Sequence, residues 1–309
     1  MKTLALALLL ASAPLLAQER EVAFTYDDLP LGGPAIPIER MERVNGKLLA
    51  GLREAQVPAI GFVNERKLYE AGEVDRRIAL LQGWLDGGLE LGNHTYAHRS
   101  FFTTPPGEFQ EEVARGETVT RWLLERAGKQ LRWFRHPFLN TGPTVEAKRS
   151  FEAFLAGRGY RVAPVTLDNS DWIFALVYAR ALGRGDAEEA KRVGAAFLTY
   201  LDVMLTFWEE LTQSFLKRPM RHVMLLHESE LNADHVGGVT ALFARRGYRF
   251  VTLDRALEDE AYRLEDAYAG RAGISWLHRW MVTKGLPMKL KEEPEPPDWL
   301  MARYRALTN

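Results

Sequence analysis

The stretch Glu21-Val-Ala-Phe-Thr-Tyr-Asp-Asp28 is the clearest indication of the fold class. A short apolar and aromatic run, typical of a strand, leads directly into two adjacent carboxylates. A helix-like stretch follows over residues 37–55, and strand-like and helix-like segments then alternate as far as residue 253. Such alternation is typical of parallel βαβ units, so the sequence predicts an α/β fold.

About seven strands are predicted, a number that favours a parallel barrel over two unrelated domains. The predicted strands cover residues 21–26, 57–63, 89–92, 131–134, 160–165, 222–226 and 248–253. The predicted helices between them cover residues 37–55, 74–87, 106–127, 144–157 and 233–246.

Residues 173–220 interrupt the alternation, because they contain no strand-like run. Asp186 followed by Glu189 resembles a capping box. Apolar residues then recur at helical spacing from Val193 to Phe215. We therefore expect a long helical insertion over the barrel, with its aromatic side chains in the core.

The two ends of the chain differ in composition from the barrel. Residues 1–17 have a positive start, an apolar run and a final alanine, which predicts a signal peptide cleaved after Ala17 and a secreted or periplasmic product. A buried N-terminal strand is the alternative. Residues 18–257 would form the barrel, and the tryptophan- and proline-containing residues 258–309 a C-terminal extension packed on it. Sugar stacking by tryptophans of this extension is a second possible role for them.

Composition excludes several classes of function. Forty basic and 41 acidic residues give a formal net charge of -1, which argues against a nucleic-acid partner. No segment after the N-terminal run is apolar enough for a membrane span. The chain has no cysteine, so any metal must be held by His, Asp or Glu. The oligomeric state has no signal in the sequence.

Ionisable residues cluster directly after five predicted strands. In a parallel barrel the C-terminal strand ends face one mouth, so we expect residues spread over two hundred positions to meet there. These residues are Asp27, Asp28, His94, His98, Arg135, Asp168, Asp171 and His227.

Asp28, His94 and His98 form a candidate metal triad. The His-x-x-x-His spacing would place both imidazoles on one side of a helical turn, and three ligands leave a coordination position open. The donor set suits Zn, and Co, Ni or Mn would also fit. The segment His94-Thr-Tyr-Ala-His98 lacks the Glu of the zincin motif, which argues against that protease class. Asp27-Asp28 could alternatively mark a turn or a helix start.

The remaining polar residues suit proton transfer. Arg135 beside a carboxylate base would keep that base ionised. Asp171 near His227 would favour the imidazolium form, which suits a proton donor.

In their order along the chain, these segments resemble the polysaccharide deacetylase family, the NodB-homology carbohydrate esterases of family 4. The family's distorted (β/α) barrel agrees with the predicted alternation. The motifs lie within residues 22–253, roughly three quarters of the chain. The five segments are Thr25–Asp28, His94–His98, Arg135–Phe138, Asp168–Trp172 and Met224–His227.

The resemblance implies roles for the residues of the first three motifs. Asp27 would be the general base, oriented by Arg135. A divalent metal, first of all Zn, would be bound by Asp28, His94 and His98.

The remaining roles follow from the other motifs. His227 would be the general acid, tuned by Asp171. Trp172 would line the pocket for the acetyl methyl group, and the Phe138 backbone N–H would help to hold the oxyanion. His136 and Phe138 depart from the family pattern without removing a catalytic group.

The expected function is therefore removal of N-acetyl groups from a saccharide by attack of activated water. Hydrolysis of another small amide or ureide, or of an O-acetylated sugar, would use the same site. A carbohydrate-binding barrel without turnover is the alternative from another class, and the presence of Asp27, His227 and the metal triad argues against it.

Overall fold

The computed structural model describes residues 20–308. The strands of this part are β1 (Arg20–Leu29), β2 (Ile60–Val63), β3 (Glu90–Asn93), β4 (Trp133–Phe134), β5 (Arg161–Val162), β6 (His222–His227) and β7 (Tyr248–Phe250). The helices are α1 (Ile38–Glu54), α2 (Val74–Asp86), α3 (Pro106–Arg115), α4 (Thr118–Arg126), α5 (Val145–Gly157), α6 (Asp171–Gly183), α7 (Ala187–Leu216), α8 (Glu230–Arg245), α9 (Leu253–Ala256), α10 (Trp276–Thr283) and α11 (Asp298–Thr308).

All seven strands are parallel and belong to one sheet. Its order is β5-β4-β3-β2-β1-β6, and β7 pairs with the start of β1. The central strand β1 is buried on both faces, as parallel strands covered by helices are. Its register aligns Asp27 with His227 at the end of β6. The sequence of β1 thus brings its carboxylates to the strand ends that form the mouth.

The two edges of the sheet meet through the segment that follows β5. The Leu167 N–H donates to the Val223 carbonyl at 3.0 Å, and the Leu225 N–H donates back to the Leu167 carbonyl at 3.0 Å. This seam, residues 166–167 against residues 223–225, joins β5 to β6 and curls the sheet into a distorted barrel. The predicted (β/α) fold class is confirmed.

Helix α1 buries one apolar face in the core. In α1 the buried positions include Met41, Val44, Leu48 and Leu52, which recur every three or four residues. None of the helices in residues 20–308 has the length and hydropathy to cross a bilayer.

The prediction of one helix over residues 106–127 is wrong, because α3 and α4 are separated at Gly116. A Cβ atom at Gly116 would lie 2.6 Å from the carbonyl carbon of Thr95 and 2.7 Å from the nitrogen of Tyr96. The helix therefore passes directly against the backbone of the His94–His98 segment, where only glycine fits. Sequence periodicity alone does not reveal that close approach.

The segment between β5 and β6 is helical, in two pieces. Asp186 is the N-cap of helix α7, and its carboxylate accepts a hydrogen bond from the Glu189 N–H at 2.9 Å. Phe197, Tyr200 and Trp208 are buried, so the prediction that these aromatic side chains lie in the core is confirmed.

Residues 258–308 contact the barrel through backbone hydrogen bonds. The Trp276 N–H donates to the Val165 carbonyl at 2.8 Å, next to the seam. Trp276 and Trp280 are buried, and Arg192 covers the ring of Trp299 at 3.8 Å. Burial of Trp276 and Trp280 favours the packing role of these two over sugar stacking. The predicted signal peptide lies outside the described residues.

Candidate active site

A pocket of about 400 Å³ opens at the C-terminal ends of the strands. Its volume is within the range of small-molecule sites. Of the predicted site residues, Arg135 and Asp171 lie fully buried behind it. The other seven line it: Asp27, Asp28, His94, His98, Phe138, Trp172 and His227.

The candidate metal ligands converge in this pocket. One ligand atom from each of Asp28, His94 and His98 lies within 4.8 Å of the other two. The expected helical turn at the histidine pair is wrong, because residues 94–98 form a loop. Thr95 and His98 adopt positive φ angles of 68° and 56°, and these reversals turn both imidazoles toward Asp28.

Backbone strain is concentrated at the site. Seven non-glycine residues of the described chain have positive φ, and five belong to the site segments. Each costs about 1–3 kcal/mol and persists only where the surroundings hold it. The loop is held by Asn93 Oδ1, which accepts from the Thr95 N–H at 2.7 Å. The five are Asp28, Thr95, His98, Phe138 and Leu139.

The two imidazoles have the protonation state that metal binding requires. His94 Nδ1 lies 2.9 Å from the Arg135 carbonyl, to which it donates, so Nε2 keeps its lone pair on the side of Asp28. Burial lowers the pKa of His94 to about 3 and that of His98 to about 4. Both rings are therefore neutral at pH 7.

Asp28 is held as a carboxylate by a residue that the sequence did not predict. The Lys67 ammonium lies 3.3 Å from Asp28 Oδ1 and donates to the carbonyls of Asp28 and Leu31 at 2.9 and 3.1 Å. Burial alone would raise the pKa of Asp28, but Lys67 and the neighbouring histidines outweigh it and hold the pKa well below its usual range. Lys67 follows β2 closely, so its position after a predicted strand could have pointed to it.

The donor set fits a divalent metal. Asp28 Oδ1 is buried and accepts no hydrogen bond, since the approach of Lys67 lacks hydrogen-bond geometry. Two neutral imidazoles and one carboxylate with a free lone pair are the ligands that hydrolytic zinc sites use.

Asp27 lies beside the triad and is paired with Arg135. The Arg135 Nη1 lies 3.3 and 3.4 Å from the two carboxylate oxygens. The rest of the guanidinium donates to Thr25 Oγ1 and to the Ala163 carbonyl, each at 2.9 Å. Burial raises the pKa of Asp27, and the charge of Arg135 limits that rise. Thr25 is a second contributor that the motifs alone did not single out.

Asp171 and His227 form a second pair on the opposite side. Asp171 Oδ1 lies 2.7 Å from His227 Nδ1, and its Oδ2 accepts from the His227 N–H at 2.8 Å. Burial alone would lower the pKa of His227, but the Asp171 charge and hydrogen bond, with Asp28 and Asp27, outweigh it and raise this pKa to about 10.

Asn232 completes this pair and was not predicted. Its Nδ2 donates to Asp171 Oδ2 at 2.6 Å and to the His227 carbonyl at 2.8 Å. Asn232 lies in the first turn of α8, five residues after His227, and that closeness in sequence is the only signal for it.

Two aromatic side chains form the exposed part of the pocket wall. Phe138 is 59% exposed and its ring packs edge-on against His98, with centroids 4.4 Å apart. Trp172 is 47% exposed and contacts Tyr304 of α11 edge-on at 5.4 Å. Asp168 also lines the pocket, and burial raises its pKa to about 7.

The other histidines lie outside the pocket lining. His136 is buried against Phe134 and Phe151. His222 begins β6 at the opposite end of the barrel, where burial lowers its pKa to about 3.

Comparison with solved structures finds similar chains at low sequence identity, and the first of those described here supports the fold. A mutant of a CE4 family pseudoenzyme, whose wild type is from Bacillus anthracis, matches at 18% identity and a TM-score of 0.50, covering 78% of this chain and 68% of that chain. The family 4 carbohydrate esterase from Streptomyces lividans in complex with acetate matches at 18% identity and 0.47, covering 82% and 100%. The peptidoglycan deacetylase PdaC from Bacillus subtilis matches at 18% and 0.49, covering 80% and 94%.

Comparison with family models gives a match at the sequence level, whereas no curated protein matches the chain. Residues 17–152 match the polysaccharide deacetylase model. This range includes the metal triad, Asp27 and Arg135, and it ends before Asp171 and His227. The resemblance drawn from the five motifs is confirmed by this match to the polysaccharide deacetylase model over residues 17–152.

Proposed function

We propose that the protein is a secreted, metal-dependent hydrolase that removes N-acetyl groups from a saccharide. The observation that carries this proposal is one pocket in which the Asp28, His94 and His98 ligand atoms converge. A pair suited to accept a proton and a pair suited to donate one lie on either side of them. Asp27 with Arg135 forms one pair, and His227 with Asp171 forms the other.

Asp28, His94 and His98 would hold a divalent ion, for which Zn suits the ligands and Co, Ni or Mn would also fit. When bound, such an ion supplies Lewis-acid polarisation of the acyl oxygen and activation of a water molecule.

Asp27 accepts the proton of the attacking water. Its carboxylate lies beside the triad, with Oδ2 3.6 Å from His94 Nε2. Arg135 fixes its orientation through the contacts to both oxygens. A carboxylate whose pKa is raised by burial is a stronger base than one in water.

His227 donates a proton to the departing nitrogen. Asp171 holds its Nδ1, which leaves Nε2 free for the leaving group, and keeps the ring protonated at neutral pH. The products are acetate and a free amine.

The Phe138 turn supplies the oxyanion donor. In the described part of the chain, the Leu139 and Asn140 N–H groups donate to His136 and Pro137, whereas the Phe138 N–H has no protein acceptor. A donor of this kind is typically worth about 3–4 kcal/mol in the transition state. Trp172 and Phe138 offer apolar surface to the acetyl methyl group.

Secretion rests on residues 1–17. Their charge and hydropathy pattern is that of a signal peptide, and the family match begins at residue 17.

The mature chain is expected to release acetate from at least one of N-acetylglucosamine oligomers, peptidoglycan fragments and acetylated xylan. Chelation should stop the release, and added Zn or Co should restore it. Acetate release only from xylan would indicate O-deacetylation. Bound metal without release from any of the three would favour a small amide or ureide, and saccharide binding that is insensitive to chelator would identify a non-catalytic barrel.

Asp171→Asn is expected to move the alkaline limb of the kcat/KM profile to lower pH. The Asp171 charge raises the pKa of His227 to about 10, so its removal lowers this pKa and the proton donor is lost earlier as pH rises. A shift of about one to three pH units is the usual effect of one adjacent charge. The profile should be measured from pH 6 to 11 beside Asp234→Asn, a change on α8 whose carboxylate contacts Lys47 and Tyr178 instead. An unmoved limb in Asp171→Asn would remove His227 from the acid role.

A further inference from the structure

The turn Pro137–Leu139 has a conformation that its own sequence does not favour. Phe138 and Leu139 are consecutive non-glycine residues with φ of 55° and 51°. Left-handed backbone at two such positions persists only when neighbouring structure holds it.

Gly273, in the C-terminal extension, packs directly on the turn. A Cβ atom there would overlap the Phe138 carbonyl oxygen and lie 3.1 Å from Leu139 Cβ. Gly273 also lines the pocket itself. The extension therefore reaches the active site at a point where no side chain can be accommodated.

Arg279, at the centre of α10, holds the same turn by hydrogen bonds. It is fully buried and donates through Nη1 to the Leu139 carbonyl at 3.2 Å and through Nη2 to Thr141 Oγ1. Its Nε donates to Asp266 Oδ2 at 2.9 Å, which neutralises the buried charge within the extension.

Asn140 ties the turn to the extension from the opposite direction. Its Nδ2 donates to the carbonyls of Gly270 and Arg271, each at 2.9 Å. The Gly270 N–H in turn donates to the Gly142 carbonyl at 3.2 Å. Residues 270–279 and 138–142 thus form one hydrogen-bonded unit.

We propose that Gly273 and Arg279 are positioning residues of the active site, because they hold the Phe138–Leu139 turn in the conformation that presents the Phe138 N–H to the pocket. The extension then completes the oxyanion site, although its residues take no part in metal binding or proton transfer. This inference rests on the proposed deacetylase function.

The substitution Gly273→Ala tests this inference in the zinc-loaded mature chain. Hydrogen exchange of the peptide covering residues 136–141 should become faster, because the turn can no longer pack on the extension. The value of kcat should fall by at least about 10-fold, since one lost oxyanion donor costs about 10²–10³-fold. KM should change by less than about threefold, and zinc content should stay at the wild-type value.

Gly237→Ala is the matched glycine control, since Gly237 lies on α8 outside this unit and a Cβ there meets no atom within 4 Å. It should leave both exchange and kcat near wild type. Arg279→Lys removes the two guanidinium hydrogen bonds to Leu139 and Thr141 without adding bulk. This variant should also show faster exchange and a lower kcat, and it keeps the proposal testable if Gly273→Ala fails to fold.

Wild-type exchange and kcat in folded Gly273→Ala or Arg279→Lys would overturn the inference while leaving the deacetylase proposal intact. A wild-type protein that releases no acetate would overturn the deacetylase proposal, and the exchange data would still decide whether the extension holds the turn.

Discussion

Asp27→Asn is expected to lower kcat by about 100- to 10,000-fold, the usual contribution of a general base. Asparagine has nearly the same shape but cannot accept the proton of the attacking water at pH 7. Asp28, His94 and His98 are unchanged, so zinc measured by elemental analysis should remain at the wild-type stoichiometry. Turnover within threefold of wild type would exclude Asp27 as the base.

Asp27→Asn is also expected to lower the free energy of unfolding, and this effect must be measured separately from kcat. Arg135 is fully buried, and loss of its carboxylate partner leaves an uncompensated charge, which costs about 3–5 kcal/mol in comparable pairs. Asp259→Asn is a matched control, because Asp259 is equally buried and accepts from Arg218 Nη2 at 2.7 Å far from the pocket. It should lower the melting temperature while the folded fraction keeps its kcat. If kcat fell equally in Asp27→Asn and Asp259→Asn, the loss in Asp27→Asn would be due to impaired folding and not to loss of the base.

His94→Ala is expected to lower zinc affinity by at least about 100-fold, more than the 10–100-fold that loss of an outer-shell contact costs. The substitution removes one of the three candidate ligands found among the described residues and leaves Asp28 and His98 to hold the ion. Zinc per chain after dialysis should fall toward zero, and acetate release should fall with it. Added imidazole should partly restore both by entering the vacated space.

His222→Ala is the control, because it removes a buried imidazole that is not a candidate metal ligand. His222 is as buried as His94 but lies at the other end of β6, next to Thr166 Oγ1. It should lose stability and retain zinc. Unchanged zinc stoichiometry in His94→Ala would contradict its assignment as a ligand.

Most of the fold could be predicted because local pattern and global fold agree. The run before Asp27 is β1, and the predicted helices at residues 37–55 and 74–87 match α1 and α2 within one residue at each end. Two features could not be predicted. The break at Gly116 and the seam at Leu167 both depend on contacts with distant backbone, which hydrophobic periodicity does not encode.

The predicted site residues share one position, the end of a strand, and the barrel geometry brought them together. The residues that were missed act through long-range contacts. Lys67 reaches Asp28 across 39 positions, and Arg279 reaches Leu139 across 140. Only tertiary structure reveals such pairs. The loop conformation of residues 94–98 was also missed, because the His-x-x-x-His spacing suggests a helix. In the structure, the left-handed backbone at Thr95 and His98 brings the two imidazoles together instead.

The seam separates Asp171 from the rest of the site, because β6 with His227 pairs with β1 beside the candidate ligands. The three candidate ligands lie within residues 28–98, on the side of the barrel formed by β1 to β3, whereas Asp171 follows residues 166–167 of the seam. An intermediate with an open seam would retain all three candidate ligands and His227, which β6 holds beside β1, and would lack Asp171, which raises the pKa of His227. Zinc occupancy therefore does not report closure of the seam, and a purified preparation can be fully metallated yet contain inactive molecules. The active fraction should be counted by a probe of the protonated His227 rather than by metal content.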